Sequence, residues 1–184
     1  MKFKVHTQET APKESQVILN EVVKAYGFLP NLFAVMSEVS TAPETYLTLN
    51  KIFEKTSFNL LERQIVLITT SYENECTYCV AAHTVVSSMQ GLDEKVISDL
   101  RNGKKLEDNK LESLRNFTKE VVETRGWPND KVKQSFLENG YNEANALEVI
   151  IGVSMKTFTN YVNHLAKTPL DENFQSAAWK KAVS

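Results

Sequence analysis

Both cysteines of the chain and one of its three histidines lie within residues 76–83. The order is Cys-x-x-Cys followed four residues later by a histidine, which gives Cys76, Cys79 and His83. On a helix, the two cysteines share a face, and Cys79 and His83 are neighbours. The first turn of a helix stabilises a thiolate, and a histidine at this spacing can accept the proton of Cys79. A second thiol can convert an oxidised cysteine into a disulfide, so the pattern predicts thiol redox chemistry.

A bound metal and an inert pair are two other interpretations of these residues. Zinc could use both thiols and the imidazole of His83, but a structural zinc site needs four protein ligands and the chain has no third cysteine. Cysteines three residues apart on a helix could also simply pack in a core. We favour redox chemistry because the complete pattern supplies a nucleophile, a second thiol and a base together. We expect neither a metal nor another cofactor.

The composition is that of an ordinary globular protein. Of the 184 residues, 42% are hydrophobic and 24% are charged, and the formal net charge is −2. This balance predicts no general attraction to nucleic acid or to an anionic membrane. The central aliphatic run at 65–68 is far shorter than the roughly 20 residues that span a bilayer, and the polar N-terminus has no signal-peptide pattern. We therefore expect a cytoplasmic protein whose cysteines are reduced or form a working redox pair.

Apolar residues recur at helical spacing along most of the chain, and no stretch alternates with the period of a strand. Asn59 followed by Glu62 has the form of a capping box, which predicts a buried helix over about 60–72 and a further helix over 76–89. We predict an all-α protein with one domain, residues 1–184. Its core spans about 40–168, between an N-terminal helical arm at 1–40 and a C-terminal tail at 169–184. His6 should lie on a mobile part of the arm.

The segments 60–66 and 75–83 together resemble the core of the carboxymuconolactone decarboxylase superfamily. Within it they are most similar to the AhpD-like alkylhydroperoxidases, which carry the Cys-x-x-Cys motif, and residues 160–166 resemble that family's last core helix. The resemblance implies a helical bundle with the motif at the N-terminus of a core helix, and assembly into trimers or hexamers. It also implies a proton relay from a glutamate through a histidine to the second cysteine, which matches His83 and Cys79, with Cys76 as the partner thiol.

The relay glutamate of that family falls twelve residues before the first cysteine, and this position is Gln64. A glutamine amide can orient His83 by a hydrogen bond but cannot shuttle a proton. Another acid must therefore replace the glutamate, or the relay ends in solvent. The position between the cysteines, which is sometimes histidine in the family, is Tyr78 here. The other candidates for the relay are Glu73 and Glu75, which border the motif, then Glu62, Glu148 and, from the last core helix, His164.

The expected activity is that of a thiol-dependent peroxidase in antioxidant defence. Cys79, activated by His83, would attack a peroxide, Cys76 would form the disulfide, and an external dithiol or protein reductant would restore both thiols. One alternative is a disulfide reductase or adaptor that passes electrons to a separate peroxidase. The other is a redox-sensing oligomer without turnover, in which oxidation of the pair changes packing.

Overall fold

The computed structural model describes residues 1–182, and within them the chain forms helices and no strand, which confirms the all-α prediction. The predicted tail at 169–184 is described as far as residue 182, and residues 183 and 184 lie outside the described part. The segment after the last α-helix forms a 3₁₀ helix at Glu172–Ala177. The α-helices are α1 (Lys13–Tyr26), α2 (Asn31–Met36), α3 (Thr41–Phe53), α4 (Leu60–Glu73), α5 (Thr77–Met89), α6 (Glu94–Arg101), α7 (Asn109–Thr124), α8 (Asp130–Glu138) and α9 (Glu143–Ala166).

Helix α4 lies at the centre of the bundle and packs against α5, α6, α7 and α9. Its predicted capping box is present: the Asn59 side chain accepts a hydrogen bond from the Glu62 backbone N–H at 2.9 Å, and the Glu62 carboxylate accepts one from the Asn59 N–H at 3.0 Å. Because consecutive residues from Gln64 to Ser71 are buried, neither face of this helix is left to solvent. Helix α4 is therefore the central helix against which the surrounding helices pack.

The turn between α4 and α5 places the cysteine motif. Glu75 has a φ of 56°, in the left-handed region, and the backbone N–H of Cys76 donates to the Ser71 carbonyl at 2.9 Å, which ends α4 and reverses the chain. Cys76 is then the N-cap of α5, and its carbonyl accepts from the Val80 N–H at 3.1 Å. The predicted helix over 76–89 thus begins one residue later, and Cys79 lies in its first turn.

Two hydrophobic clusters fill the bundle. The larger one packs α4 against α7, α8 and α9, while the second contains both cysteines. The N-terminal helices and the C-terminal 3₁₀ helix cover the cysteines, with side chains from α1, α2 and Phe174 in the same cluster. The segments at either end of the predicted core therefore close over the motif. Members of the second cluster, besides Cys76 and Cys79, include Leu19, Val22, Leu32, Phe33, Met36 and Phe174.

The expectation that His6 lies on a mobile arm is wrong. His6 is 7% exposed, and its backbone N–H donates to the Ala34 carbonyl at 3.3 Å. Its ring nitrogens lie 2.9 Å from the Thr10 carbonyl and 2.9 Å from a Glu38 carboxylate oxygen. The sequence pattern does not predict this, because the contacts join the polar N-terminal segment to residues in α2 and just after it.

Among the helices of residues 1–182, none has the length and hydropathy needed to cross a bilayer.

Candidate active site

Cys76 and Cys79 are free thiols whose side chains lie 3.4 Å apart. Both are buried, with 1% and 2% of their surface exposed. Asn163, on α9, donates from its Nδ2 to the Cys79 Sγ at 3.2 Å and reaches the Cys76 Sγ at 3.9 Å. A disulfide bond is about 2.05 Å long, so the pair needs only a small movement to form one. The geometry therefore suits reversible disulfide formation.

The environment favours ionisation of Cys79 over that of Cys76. Burial alone opposes a charge on Cys79, but the hydrogen bond from Cys76, the positive charge of Lys156 and the amides of Asn160 and Asn163 outweigh it and lower the pKa of Cys79. For Cys76, the hydrogen bond to Cys79 and burial both raise the pKa. The thiolate form is therefore favoured at Cys79, while Cys76 is the cysteine that keeps its proton.

His83 is held between an amide and an amine. Its Nδ1 lies 2.8 Å from the Gln64 Oε1, and its Nε2 lies 2.6 Å from the Lys156 Nζ. An amide oxygen only accepts, so Nδ1 carries the ring proton, and Nε2 of the neutral ring accepts from Lys156. Burial and the charge of Lys156 hold the pKa of His83 well below its usual range. In residues 1–182, no hydrogen bond joins His83 to either sulfur; its ring nitrogens contact Gln64 and Lys156, and Asn163 is the side chain that reaches the sulfurs.

Lys156, like Asn163, is a residue of the site that the sequence pattern did not predict. It lies on α9 with only 1% of its surface exposed, and its Nζ lies 6.0 Å from the centre of the Tyr46 ring. One signal was present: Lys156, Asn160 and Asn163 are spaced four and three residues apart, which puts three polar side chains on one face of a largely apolar helix. The pattern does not show that this stripe faces inward toward α5, since that depends on tertiary packing.

The predicted acidic relay residues make their contacts elsewhere. Glu73 and Glu75 lie 3.9 Å and 3.4 Å from the Nζ of Lys181, in the C-terminal segment. In the described part of the chain, no carboxylate is hydrogen-bonded to His83 or to a sulfur. Gln64 orients the His83 ring through the hydrogen bond to its amide oxygen.

The two remaining acids are engaged with other groups. Glu62 is hydrogen-bonded to Asn59 and Tyr141, and Glu148 is hydrogen-bonded to Ser57 and Asn145.

The two remaining relay candidates also lie away from the proton path. His164 is exposed near the end of α9, beside the ring of Tyr161. Tyr78 is buried, but its hydroxyl donates to the Asp171 carboxylate at 2.5 Å and accepts from the Leu32 N–H at 3.3 Å. Burial and the bond to Asp171 raise its pKa. Tyr78 therefore ties the start of α5 to the segments that cover the cysteines.

A metal site has little support in this geometry. Within residues 1–182, no three His, Cys, Asp or Glu side chains are grouped so that they could hold a metal ion. His83 also has no free nitrogen, because Gln64 and Lys156 engage both of them. The residues present therefore suit the chemistry of two thiols and an amine.

Tyr78→Phe is expected to lower the free energy of unfolding by about 1–3 kcal/mol, because it leaves the Leu32 N–H and one oxygen of the buried Asp171 carboxylate without a hydrogen bond, while the other oxygen still accepts from the Asn31 N–H. The covering segments should also open more often, so the buried thiols should react faster with an alkylating reagent. Urea unfolding and the rate of thiol labelling measure the two effects. Trp127→Phe, at an exposed aromatic side chain between α7 and α8, is the control. Unchanged stability and labelling in Tyr78→Phe would contradict the role of this bond.

The sequence matches no protein-family profile and no curated protein. Solved structures do match its fold. An uncharacterised peroxidase-related protein from Ralstonia eutropha, described as an alkylhydroperoxidase AhpD core, has a TM-score of 0.82 at 17% identity, covering 94% of this chain and 93% of its own. A peroxidase-related protein from a Silicibacter species has a TM-score of 0.79 at 14% identity, covering 95% and 92%. The debrominase Bmp8, solved as a cysteine-to-alanine variant with 2,3,4-tribromopyrrole, has a TM-score of 0.75 at 11% identity, covering 90% and 89%. The protein thus has the helical fold of an AhpD core, as its cysteine motif and flanking helices predict.

Proposed function

We propose that the protein is a thiol-dependent peroxidase in which Cys79 is the nucleophile and Cys76 forms the disulfide. One observation carries the proposal: two buried free cysteines lie 3.4 Å apart, and the Asn163 amide donates to the Cys79 sulfur, where it would stabilise a thiolate. The thiolate is the reactive form of cysteine toward a peroxide, and a thiol at this distance can trap the oxidised product before further oxidation. The fold shared with peroxidase-related proteins supports the same assignment.

The reaction proceeds in three steps. The Cys79 thiolate attacks the terminal oxygen of a peroxide ROOH, so the O–O bond breaks and Cys79 becomes a sulfenic acid while RO⁻ leaves and is protonated to ROH. Cys76 then attacks the Cys79 sulfur, which forms the disulfide and releases water. An external dithiol or protein reductant returns both thiols. Asn163 can assist, because its Oδ1 is buried without a partner among the described residues and can accept from the peroxide hydroxyl.

The ionisation of Cys79 also favours a peroxidase over an adaptor that reduces another protein. A cysteine pair whose reduced form is stabilised as a thiolate has a more oxidising reduction potential. Such a pair takes electrons readily from a dithiol and gives them up reluctantly to a partner disulfide. The direction of electron flow that suits this pair is from an external reductant, through the two cysteines, to a peroxide.

We extend the proposal to a homo-oligomer, a trimer or hexamer as the family resemblance implies. The outer face of α9 supports this, because it carries exposed apolar side chains at helical spacing that a second copy of the chain could cover. These residues are Leu147, Ile150, Tyr161 and Leu165. Sedimentation analysis of the wild type and of Leu147→Asp tests the assembly, and a wild-type monomer would contradict it.

Peroxide consumption with a dithiol donor tests the proposed function. The wild type should consume one peroxide and lose two thiols per chain without the donor, and should turn over repeatedly with it. Cys79→Ser should lose the activity, while Cys76→Ser should react once and stop at the sulfenic acid. Full activity in Cys79→Ser would contradict the proposal. Activity that appears only with an added peroxidase would identify the adaptor, and a single oxidation without turnover would identify the sensor.

A further inference from the structure

Lys156 places a positive charge in the buried interior, where it needs a negatively charged partner. Its side chain is almost fully buried, and within residues 1–182 it forms no ion pair with a carboxylate. A buried ammonium without an anionic partner is strongly unfavourable. His83 accepts one of its hydrogens but is neutral, so it does not balance the charge.

The elements around Lys156 offer one anion. From α1 and α3, Tyr26 and Tyr46 face it, and burial raises the pKa of both phenols, that of Tyr26 to about 12, so both are neutral. Glu54, which also acts on these tyrosines, is exposed at the end of α3. Gln64, from α4, reaches Lys156 only through His83 and is uncharged. From α5, the remaining group is the Cys79 sulfur. It lies one turn before His83, which Lys156 contacts, and it accepts from Asn163, which lies on the same face of α9 as Lys156.

We propose that Lys156 and Cys79 form a buried ammonium–thiolate pair, and that Lys156 gives its proton to the oxygen that leaves the peroxide. The proton-donor part rests on the proposed function. Lys156 thereby fills the place of the missing acidic relay with a group of opposite charge. His83 and Gln64 are positioning residues: Gln64 fixes the ring proton on Nδ1, and Nε2 then holds the lysine amine by its lone pair.

The charges and protons of this reaction balance inside the site. Before the reaction, a thiolate and an ammonium sum to zero. Attack on ROOH forms the sulfenic acid and RO⁻, and transfer of a proton from Lys156 gives ROH and a neutral amine. Condensation of the sulfenic acid with the Cys76 thiol releases water without a further net proton. The product, a disulfide beside a neutral amine, again has no buried charge, so oxidation needs no ion to enter or leave the covered site.

The same balance explains why a glutamine stands at position 64. A glutamate there would accept the Nδ1 hydrogen as an anion and would favour the protonated imidazolium. The imidazolium would then lie 2.6 Å from the Lys156 ammonium, with a hydrogen on Nε2 where an acceptor is needed. A neutral amide avoids this conflict and still fixes the ring. Gln64 and Lys156 are therefore matched to each other.

The ion pair is tested by titrating the thiolate, which is followed by its ultraviolet absorbance and needs no access to the buried sulfur. Cys76→Ser leaves one thiol and retains a hydroxyl donor, so it serves as the background. In this background, Lys156→Met should raise the titration midpoint of Cys79 by about 1–3 pH units, because it removes the opposite charge. Lys156→Arg should restore much of the shift. Lys105→Met removes a lysine from an exposed loop and should leave the midpoint unchanged.

Proton donation is tested by the leaving group, with Cys76 and its thiol in place. The oxidation rate is compared for tert-butyl hydroperoxide, whose alkoxide needs a proton as it leaves, and for peracetic acid, whose acetate does not. At a pH where Cys79 is ionised in both proteins, Lys156→Met should slow the alkyl hydroperoxide about 100-fold more than the peracid. Circular dichroism checks that the variant is folded.

The outcomes separate the two parts. An unchanged thiolate midpoint in Lys156→Met overturns the ion pair. Equal slowing of both peroxides overturns the proton donor, as does a wild type that reacts with neither peroxide. In the last case the proposed function fails as well, while the titration alone still decides whether Lys156 holds the thiolate.

Discussion

Gly152→Ala is expected to destabilise the protein by about 1–3 kcal/mol, although alanine is the better helix former by about 1 kcal/mol. Gly152 lies in α9 where this helix crosses α3 and α4. A Cβ there would come within 2.7 Å of the Phe53 ring and 2.7 Å of a Val66 methyl group. Both neighbours are buried in the larger cluster and cannot move aside cheaply. The methyl group would therefore push α9 away from the centre of the bundle.

The same substitution should also lower the peroxidase rate, because Lys156 lies one turn after Gly152 on the same helix. Urea unfolding and peroxide consumption measure the two effects together. The control is Ser154→Ala, at an exposed position of α9, which should change the free energy of unfolding by no more than about 0.5 kcal/mol. A Gly152→Ala variant as stable as the wild type would contradict the close packing of α9 against Phe53 and Val66.

The local features of the fold could be read from the sequence because their causes are local. The capping box at Asn59 and Glu62 satisfies the first backbone N–H groups of α4 whatever the helix packs against, so α4 begins at the predicted residue, Leu60. Gly27 ends α1 with a φ of 78°, a conformation that glycine adopts without strain. The spacing of Cys76 and Cys79 likewise brings them together, because the N-cap residue of a helix lies beside the third residue of its first turn.

The candidate site could be predicted only in part, because half of it comes from another helix. Lys156 and Asn163 meet the motif across more than 70 residues of chain, and no local rule says which face of α9 turns inward. From the sequence, the missing acid is expected beside the motif, at Glu73 or Glu75, but in the structure both carboxylates pair with Lys181. The sequence shows that Gln64 replaces the expected glutamate. The physical reason depends on Lys156, which only the fold brings into contact with His83.

A glutamate at position 64 should restore part of the peroxidase activity that is lost when Lys156 is removed. Lys156→Ala removes the counter-ion and leaves polar space beside His83 and Asn163 in which a water can bind. Adding Gln64→Glu places a carboxylate on Nδ1–H, which makes His83 more basic and lets it pass a proton from Nε2 through that water. The double variant should therefore consume peroxide at least about 10-fold faster than Lys156→Ala alone, or about 1.4 kcal/mol in transition-state stabilisation.

Gln64→Glu alone should have the opposite effect. With Lys156 present, a more basic His83 brings two cations into contact, so the single variant should be slower than the wild type. The two substitutions would then be harmful separately and compensating together, which a double-mutant cycle on kcat/KM measures directly. Glu75→Gln removes a carboxylate that borders the motif and should change the rate less than twofold. If the double variant is no faster than Lys156→Ala, position 64 and position 156 act independently, and the lysine does not stand in for an acidic relay.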